Sequence, residues 1–186
     1  MRLVLASASP NRKQILENAG LTFVTMTSDA DETASGLSPD ALVLELSRRK
    51  LEAVLPRIEP DDAVITADTV VSIDDEILGK PHDAAEAKRF LHLLSGRTHT
   101  VYTGVHLAYH GRRTAFCQTT EVHFYPLSEA QIDGYVDSGE AFGKAGAYGI
   151  QGPAALFVES IVGDYNNIFG LPAAHMVREL EKLIQE

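Results

Sequence analysis

The chain has 186 residues, 45% of them apolar and 23% charged, ordinary proportions for a globular protein able to bury a core without covalent staples. Its single cysteine, Cys117, excludes an intramolecular disulfide, and no apolar run approaches the roughly 20 residues of a membrane helix. Sixteen Lys and Arg against 26 Asp and Glu give a net charge of −10, which argues against a nucleic-acid partner and requires any anionic ligand to meet a local cluster of bases or a metal. No secretory leader follows Met1-Arg2, so a soluble, cytoplasmic protein with no membrane partner is expected.

Arg2–Ala6 reads as a short buried strand. Ser9 followed by Pro10 is a helix-start signal, and the spacing of Ile15, Leu16 and Ala19 predicts a helix over Asn11–Ala19, stopped by Gly20. Leu21–Met26 reads as a second strand. Asp29–Leu37 is polar and loop-like. Ser38-Pro39 opens a helix running to about Leu55. Ala63–Ala67 and Val70–Ile73 are apolar strand-like runs interrupted by Asp68-Thr69. Asp83 and Glu86 form a capping-box pattern for a helix through Leu94.

Thr100–Ala108 and Thr114–Phe124 flank His110-Gly111 as a hairpin. Ser128 and Gln131 open a helix ending near Gly139. The segment from Gly143 to Gly152 is glycine-rich, Leu156–Val162 reads as a strand, and Leu171-Pro172 opens a C-terminal helix with Val177, Leu180 and Ile184 on one face. Strands alternating with helices, followed by a hairpin, predict an α/β fold with a mixed sheet. The hairpin and the helix after it suggest a second lobe, with a cleft between lobes as the default ligand site.

Several constellations carry chemistry. Ser7-Ala8-Ser9-Pro10-Asn11-Arg12 joins a strand to a helix, and a helix N-terminus with hydroxyls and a guanidinium suits phosphate. The same run also suits an ordinary capped helix, and it lacks the glycines of a P-loop or dinucleotide fingerprint. Asp68 is expected at the mouth of an α/β sheet, where it can hold a divalent metal or act as a base; it also suits a strand-end turn. Lys50 and Lys80, the latter in Gly79-Lys80-Pro81, are candidate point charges for phosphate or solvated surface groups. In Lys144–Gly152, small residues allow close backbone approach, and the Gln151 amide can read a base edge. Asp31-Glu32 offers a further metal ligand or simply an acidic loop. The seven histidines show no metal spacing; His99, His106 and His123 read as structural, and Cys117 as a sheet residue.

In order, LASASPNR (5–12), Lys50 of SRRK, ITADTVV (65–71), LGKP (78–81), LSGRTHTVYTGV (94–105), KAGAYGIQG (144–152) and GLP (170–172) resemble the Maf family, also called septum-formation-inhibitor proteins. The resemblance spans nearly the whole chain, read as a single domain over residues 1–186. It implies a metal-dependent nucleoside triphosphate pyrophosphatase that splits the α–β phosphate bond. The implied fold is an elongated mixed β-sheet flanked by helices, two lobes with a central cleft, similar to inosine-triphosphate pyrophosphatases. Homodimers are common among relatives.

By the same resemblance, Asp68 is the proton acceptor, and the catalytic lysines Lys50 and Lys80 hold the triphosphate and offset charge developing on the α-phosphoryl and the leaving pyrophosphate. Ser7, Ser9 and Arg12 hold the triphosphate. Asn11, Thr69 and Gln151 occupy the substrate-specificity positions, and Asp68 with Glu32 would hold Mg²⁺ or Mn²⁺, with Co²⁺ a third choice. Thr69 and Gln151 resemble the subgroup acting on dTTP and UTP, whereas Asn11 stands where that subgroup usually has a first arginine. The alternatives are a 7-methyl-GTP or modified-purine triphosphate pyrophosphatase, and a non-catalytic nucleotide-binding regulator of cell division. Nucleotide-pool cleansing and division arrest are the roles the family suggests.

Overall fold

Two crossovers build a parallel three-stranded core in the N-terminal part of the chain. In the computed structural model, which describes residues 1–185, β1 (Arg2–Leu5) leads through α1 (Pro10–Asn18) to β2 (Val24–Thr25), and α2 (Pro39–Val54) returns to β3 (Asp62–Ile73). β1 pairs in parallel with both, in the order β2-β1-β3. The strand order therefore reverses at β1, and the right-handed rule for such crossovers puts their helices on opposite faces. Arg2 pins the β1–β3 register. It sits opposite Asp62 and grips that carboxylate with two bonds of 2.9 and 2.6 Å.

β3 differs from the two-run expectation. It continues unbroken through Asp68-Thr69 to Ile73, well past the end of β1 at Leu5, whose partner is Ile65. Asp68 thus lies within a strand rather than in a turn at its end. β3 then turns at Asp74-Asp75, both at positive φ, and pairs back with β4 (Glu76–Leu78) in a two-residue hairpin that the sequence did not signal. The second strand is also shorter than expected, because only Val24 and Thr25 pair with β1.

α3 (Ala84–Leu94) starts at Asp83, whose carboxylate caps the Glu86 N–H at 2.8 Å. The Glu86 side chain accepts from His82 N rather than Asp83 N, so only half of the expected capping box forms. β5 (Thr98–Tyr109) and β6 (Arg112–Phe124) form the hairpin around His110-Gly111, and α4 (Glu129–Asp137) carries a complete capping box between Ser128 and Gln131. β7 (Val158–Val162) pairs antiparallel with β6. The resulting mixed sheet has seven strands, ordered β2-β1-β3-β5-β6-β7 with β4 alongside β3. The short α5 (Tyr165–Ile168) precedes α6 (Ala173–Gln185), which buries Ala173, Met176, Leu180 and Leu183. Of the three residues expected on its inner face, only Leu180 is buried, while Val177 and Ile184 flank it half-exposed.

The chain divides into two compact units. The first comprises Met1–Asp68, Thr103–Gln118 and the chain from Gly170 onward. Its core packs Val4, Ala6 and Val64 of the sheet with Leu51 and Val54 of α2 and Ala108 of β5. α2 and β5 approach so closely at Gly104 that a Cβ there would meet the Val43 carbonyl at 2.5 Å. The second unit comprises Thr69–Tyr102 and Thr119–Phe169. The hairpin is therefore shared differently from expectation: its tip belongs to the first unit, and only its ends join α4 in the second. The glycine-rich 143–152 stretch is a packed part of this second unit. Ala147, Tyr148 and Ile150 are buried, Tyr148 packs edge-on against His99 and Phe124, and Gly146 N bonds to Gly79 O at 3.1 Å.

Candidate active site

The strand-order reversal fixes where charged groups gather in the first unit. The chain leaves β1 at Ala6, whose N–H donates to Ile65 O at 2.8 Å, and turns directly into the Ser7–Ser9 loop. Ser9 caps α1, accepting from Arg12 N at 3.4 Å, and Pro10 fits the first helical turn, where no N–H is needed. Ser7 Oγ accepts from Ser9 N at 3.2 Å and from Arg12 Nη1 at 3.3 Å. A hydroxyl that accepts in this way still has a proton to donate.

Arg12 is buried, and its Nε donates to Gly170 O at 2.8 Å, so the guanidinium ties the SASPNR loop to the GLP segment. Burial pushes its pKa down, against the opposing pull of the Asp68 and Glu32 carboxylates. Its role in the structure is therefore partly that of a strut, beyond the phosphate fork expected from sequence. Asn11, next to it, is half-buried.

Lys50 and Asp68 meet through one face of α2 and one face of β3. Thr66, two residues before Asp68 and on the same strand face, donates to Ser47 O at 2.8 Å and locks the helix against the strand. Ser47 Oγ in turn contacts His106 Nδ1 at 2.9 Å. Lys50, three residues on from Ser47, bonds Asp68 Oδ1 at 2.5 Å and lies 3.2 Å from Glu32 Oε1. Lys50 and Asp68 are only 7% and 8% exposed, whereas Glu32 reaches in from a loop and is mostly exposed. One ammonium thus satisfies two carboxylates, with the Arg12 guanidinium near enough to feel both. Buried charges persist when paired in this way.

Thr69, Lys80 and Gln151 belong to the second unit. Thr69 follows Asp68 on β3 and is half-buried. Lys80 is exposed in the loop after β4, where the preceding carbonyl, Gly79 O, is bonded to Gly146 N. Gln151 is half-buried and follows the Tyr148–Ile150 segment. That segment is anchored by Tyr148 Oη to His99 Nε2 at 2.8 Å and by Gly149 N to Tyr135 Oη at 3.2 Å. His99, His106 and His123 are strand residues engaged with neighbours, matching their structural reading. Burial holds the Cys117 thiol protonated, at about 11.

Sequence reasoning named Ser7, Arg12, Glu32, Lys50 and Asp68 separately, and the structure brings these five together. It missed Thr66, Ser47, Arg49 and Gly170, which brace them. All four lie in the segments SRRK, ITADTVV and GLP that carry the family resemblance, and the i,i+4 spacing of Glu45 and Arg49 offered a further signal. Concavity is a poor guide here: a groove of about 750 Å³ runs past Leu37, Leu44, Arg48 and His106 but includes neither Lys50 nor Asp68.

Among the described residues, no three His, Cys, Asp or Glu side chains gather as a metal cage. Glu32 and Asp68 supply two hard oxygen ligands converging on a single cation, Lys50. That donor set fits a Mg²⁺-like ion completed by water and substrate phosphate rather than an all-protein site.

The fold and the site define an α/β protein with a buried ammonium–carboxylate centre at a topological switch point. The chain belongs to the Maf-like protein family, which matches residues 2–183. It is 47% identical over 182 residues to a Bacillus cytotoxicus protein named dTTP/UTP pyrophosphatase, covering 97% of this chain and 95% of that protein. An Agathobacter rectalis protein of the same name is 44% identical over 199 residues, covering 98% and 97%. Among solved structures, the Staphylococcus aureus Ham1 protein superimposes with a TM-score of 0.48 at 14% identity, covering 67% of this chain and 72% of that one. No helix among the described residues is long and apolar enough to cross a membrane.

Proposed function

We propose that this protein is a nucleoside triphosphate pyrophosphatase acting on dTTP and UTP, releasing the nucleoside monophosphate and pyrophosphate. The observation that carries this reading is the buried Lys50 set between Asp68 and Glu32 at the strand-order reversal, in a chain 47% identical to a protein of that name. Phosphoryl transfer needs positioning and charge neutralisation more than covalent chemistry. The residues of this centre supply both.

Lys50 is the group that responds first. A phosphate oxygen arriving at its ammonium takes the place of a carboxylate, and Asp68 is left able to accept from water. Asp68 orients that water towards the α-phosphorus and takes its proton as the new P–O bond forms. The bond from the α-phosphorus to the bridging oxygen breaks, and pyrophosphate leaves with the electron pair. Ser7 and Ser9 donate hydroxyls to the phosphates, and Arg12 fixes their loop while adding positive charge. Lys80 is assigned to the departing pyrophosphate, and Thr69, Gln151 and Asn11 to the nucleobase end, on the family resemblance.

Asp68 and Glu32 would hold Mg²⁺ or Mn²⁺, with Co²⁺ a third choice. Such an ion, when bound, neutralises phosphate charge and polarises the phosphoryl oxygen. The net charge of −10 does not oppose this, because screening limits diffuse repulsion to about 8–10 Å while the named bases act in contact. A cytoplasmic setting is supported by the single, half-buried cysteine, and homodimerisation by the resemblance alone.

The test is pyrophosphate release from a panel of dTTP, UTP, 7-methyl-GTP and deaminated purine triphosphates with Mg²⁺, Mn²⁺ and Co²⁺. A preference for dTTP and UTP is expected. A preference for 7-methyl-GTP or for the purines would replace the substrate assignment, and nucleotide binding with no hydrolysis under any metal would reduce the protein to a binding regulator.

A further inference from the structure

The geometry points to Arg49 as the positioning residue that fixes Glu32 in the charged centre, an inference resting on the role proposed for Glu32 above. Glu32 lies in an irregular segment with no helix or strand of its own, and its side chain is 55% exposed. Something must hold it against Lys50. Arg49, one residue before Lys50 on α2, points to that loop from the helix. Its Nη1 donates to Thr33 O at 2.8 Å and to Asp31 O at 3.3 Å, the carbonyls of the two residues that flank Glu32. Its Nε bonds Glu45 Oε1 at 2.8 Å one helical turn earlier, which fixes the guanidinium plane.

The loop is also tightened from within. Asp31 Oδ1 accepts from Thr33 N at 2.8 Å and from Thr33 Oγ1 at 2.5 Å, folding residues 31–33 into a compact turn. Glu45, which anchors Arg49, is lowered to about 2 by its bonds to Arg48 and Arg49. The arrangement is a chain of supports: Glu45 orients Arg49, Arg49 grips the backbone on both sides of Glu32, and Glu32 reaches Lys50. A lysine at position 49 has a single charged atom and lacks the planar fork that spans Glu45 and two carbonyls together.

The residue touches neither Asp68 nor Lys50 in any bond described, so its effect should run through Glu32. The experiment compares Arg49→Ala, Arg49→Lys, Glu32→Gln and the Arg49→Ala/Glu32→Gln double variant. Hydrogen exchange of the 31–33 amides and the Mg²⁺ concentration giving half-maximal UTP hydrolysis are both measured. Arg49→Ala should speed exchange in the loop at least tenfold. It should raise the Mg²⁺ requirement about tenfold, as loss of an outer-shell support does, while kcat at saturating Mg²⁺ changes less than threefold. Arg49→Lys should fall between. The double variant should match Glu32→Gln alone, because both changes remove the same thing. Unchanged exchange in Arg49→Ala would overturn the proposal, as would additive effects in the double variant. A wild-type Mg²⁺ requirement in Glu32→Gln would remove Glu32's assignment and the positioning role with it. Failure of the wild-type protein to hydrolyse any triphosphate would instead defeat the functional reading, leaving the exchange data to decide the clamp.

Discussion

Lys50 Nζ lies 2.5 Å from Asp68 Oδ1, joining α2 to β3 in the interior of the first unit. Both residues are buried, at 7% and 8% exposure. Replacing Asp68 by Asn keeps the shape and one acceptor oxygen but removes the proton acceptor. Loss of a positioned base costs about 10²–10⁴ in rate. Asp68→Asn should therefore lose at least about a hundredfold in pyrophosphate release while its circular dichroism matches the wild type. Near-wild-type turnover would show that Asp68 is not the base.

The same pair makes a stability prediction. Removing one partner of a buried ion pair leaves the other uncompensated, at about 3–5 kcal/mol. Lys50→Met should lose a large part of that, because it strips the buried Asp68 carboxylate of its bonded ammonium and leaves it the more distant charge of Arg12. Adding Asp68→Asn to Lys50→Met should recover part of it. Urea unfolding of the two single variants and the double gives the coupling, and strictly additive losses would mean that the pair contributes nothing.

Lys80 separates activity from stability in the opposite way. It is exposed, and its loop is held through the Gly79 carbonyl rather than its own side chain. Lys80→Ala should change stability by less than about 0.5 kcal/mol while losing most of the kcat/KM for UTP. Unchanged kcat/KM would place Lys80 outside the substrate's reach.

Local signals in the sequence were sufficient where the cause is local. Ser9-Pro10 and Ser128-x-x-Gln131 start helices within a residue or so of where the structure starts them, because caps act on the next turn, and Ser38-Pro39 does so through the proline at the first helical turn, without a side-chain cap bond. What could not be read depends on distant partners. Asp68-Thr69 looks like a break in an apolar run, yet β3 passes straight through it because Lys50 meets the charge from another element. Arg12 looks like a solvated base, but its Nε finds Gly170 O across 158 residues. β4 escaped notice because Asp74-Asp75 lacks the glycine that usually marks a two-residue turn; Arg97 holds Asp74 there with bonds of 2.6 and 2.7 Å. Asp68, Lys50, Arg12 and Glu32 were each legible as candidates, whereas their convergence required the strand-order reversal.

Gly104 tests the packing that carries Lys50. A Cβ at this position would sit 2.5 Å from the Val43 carbonyl carbon and oxygen and 2.7 Å from Leu44 N, all backbone atoms that cannot rotate away. Gly104→Ala should therefore push α2 off β5 and cost about 1–3 kcal/mol, the usual penalty for overpacking. Because Lys50 rides on α2, activity should fall as well. A thermal melt unchanged from the wild type would show that the helix can shift freely.

His99 sets a pH dependence. Burial among Phe124 and Tyr148 pushes its pKa from 6.5 down to about 3, so it is neutral in the folded protein. The unfolded chain binds a proton at His99 below about pH 6.5 that the folded chain refuses until near pH 3. In that window the unfolded state holds more protons, and stability falls as pH falls, by up to about 1.4 kcal/mol per pH unit from this residue. The contribution is fully present above pH 6.5 and is lost progressively on acidification. Replacing His99 by Gln, whose amide can either donate to or accept from Tyr148 Oη but does not titrate, should flatten the slope of unfolding free energy between pH 6 and 4 by close to one proton. Urea unfolding across that range measures the slope, and an unchanged slope would mean that His99 is protonated in the folded state.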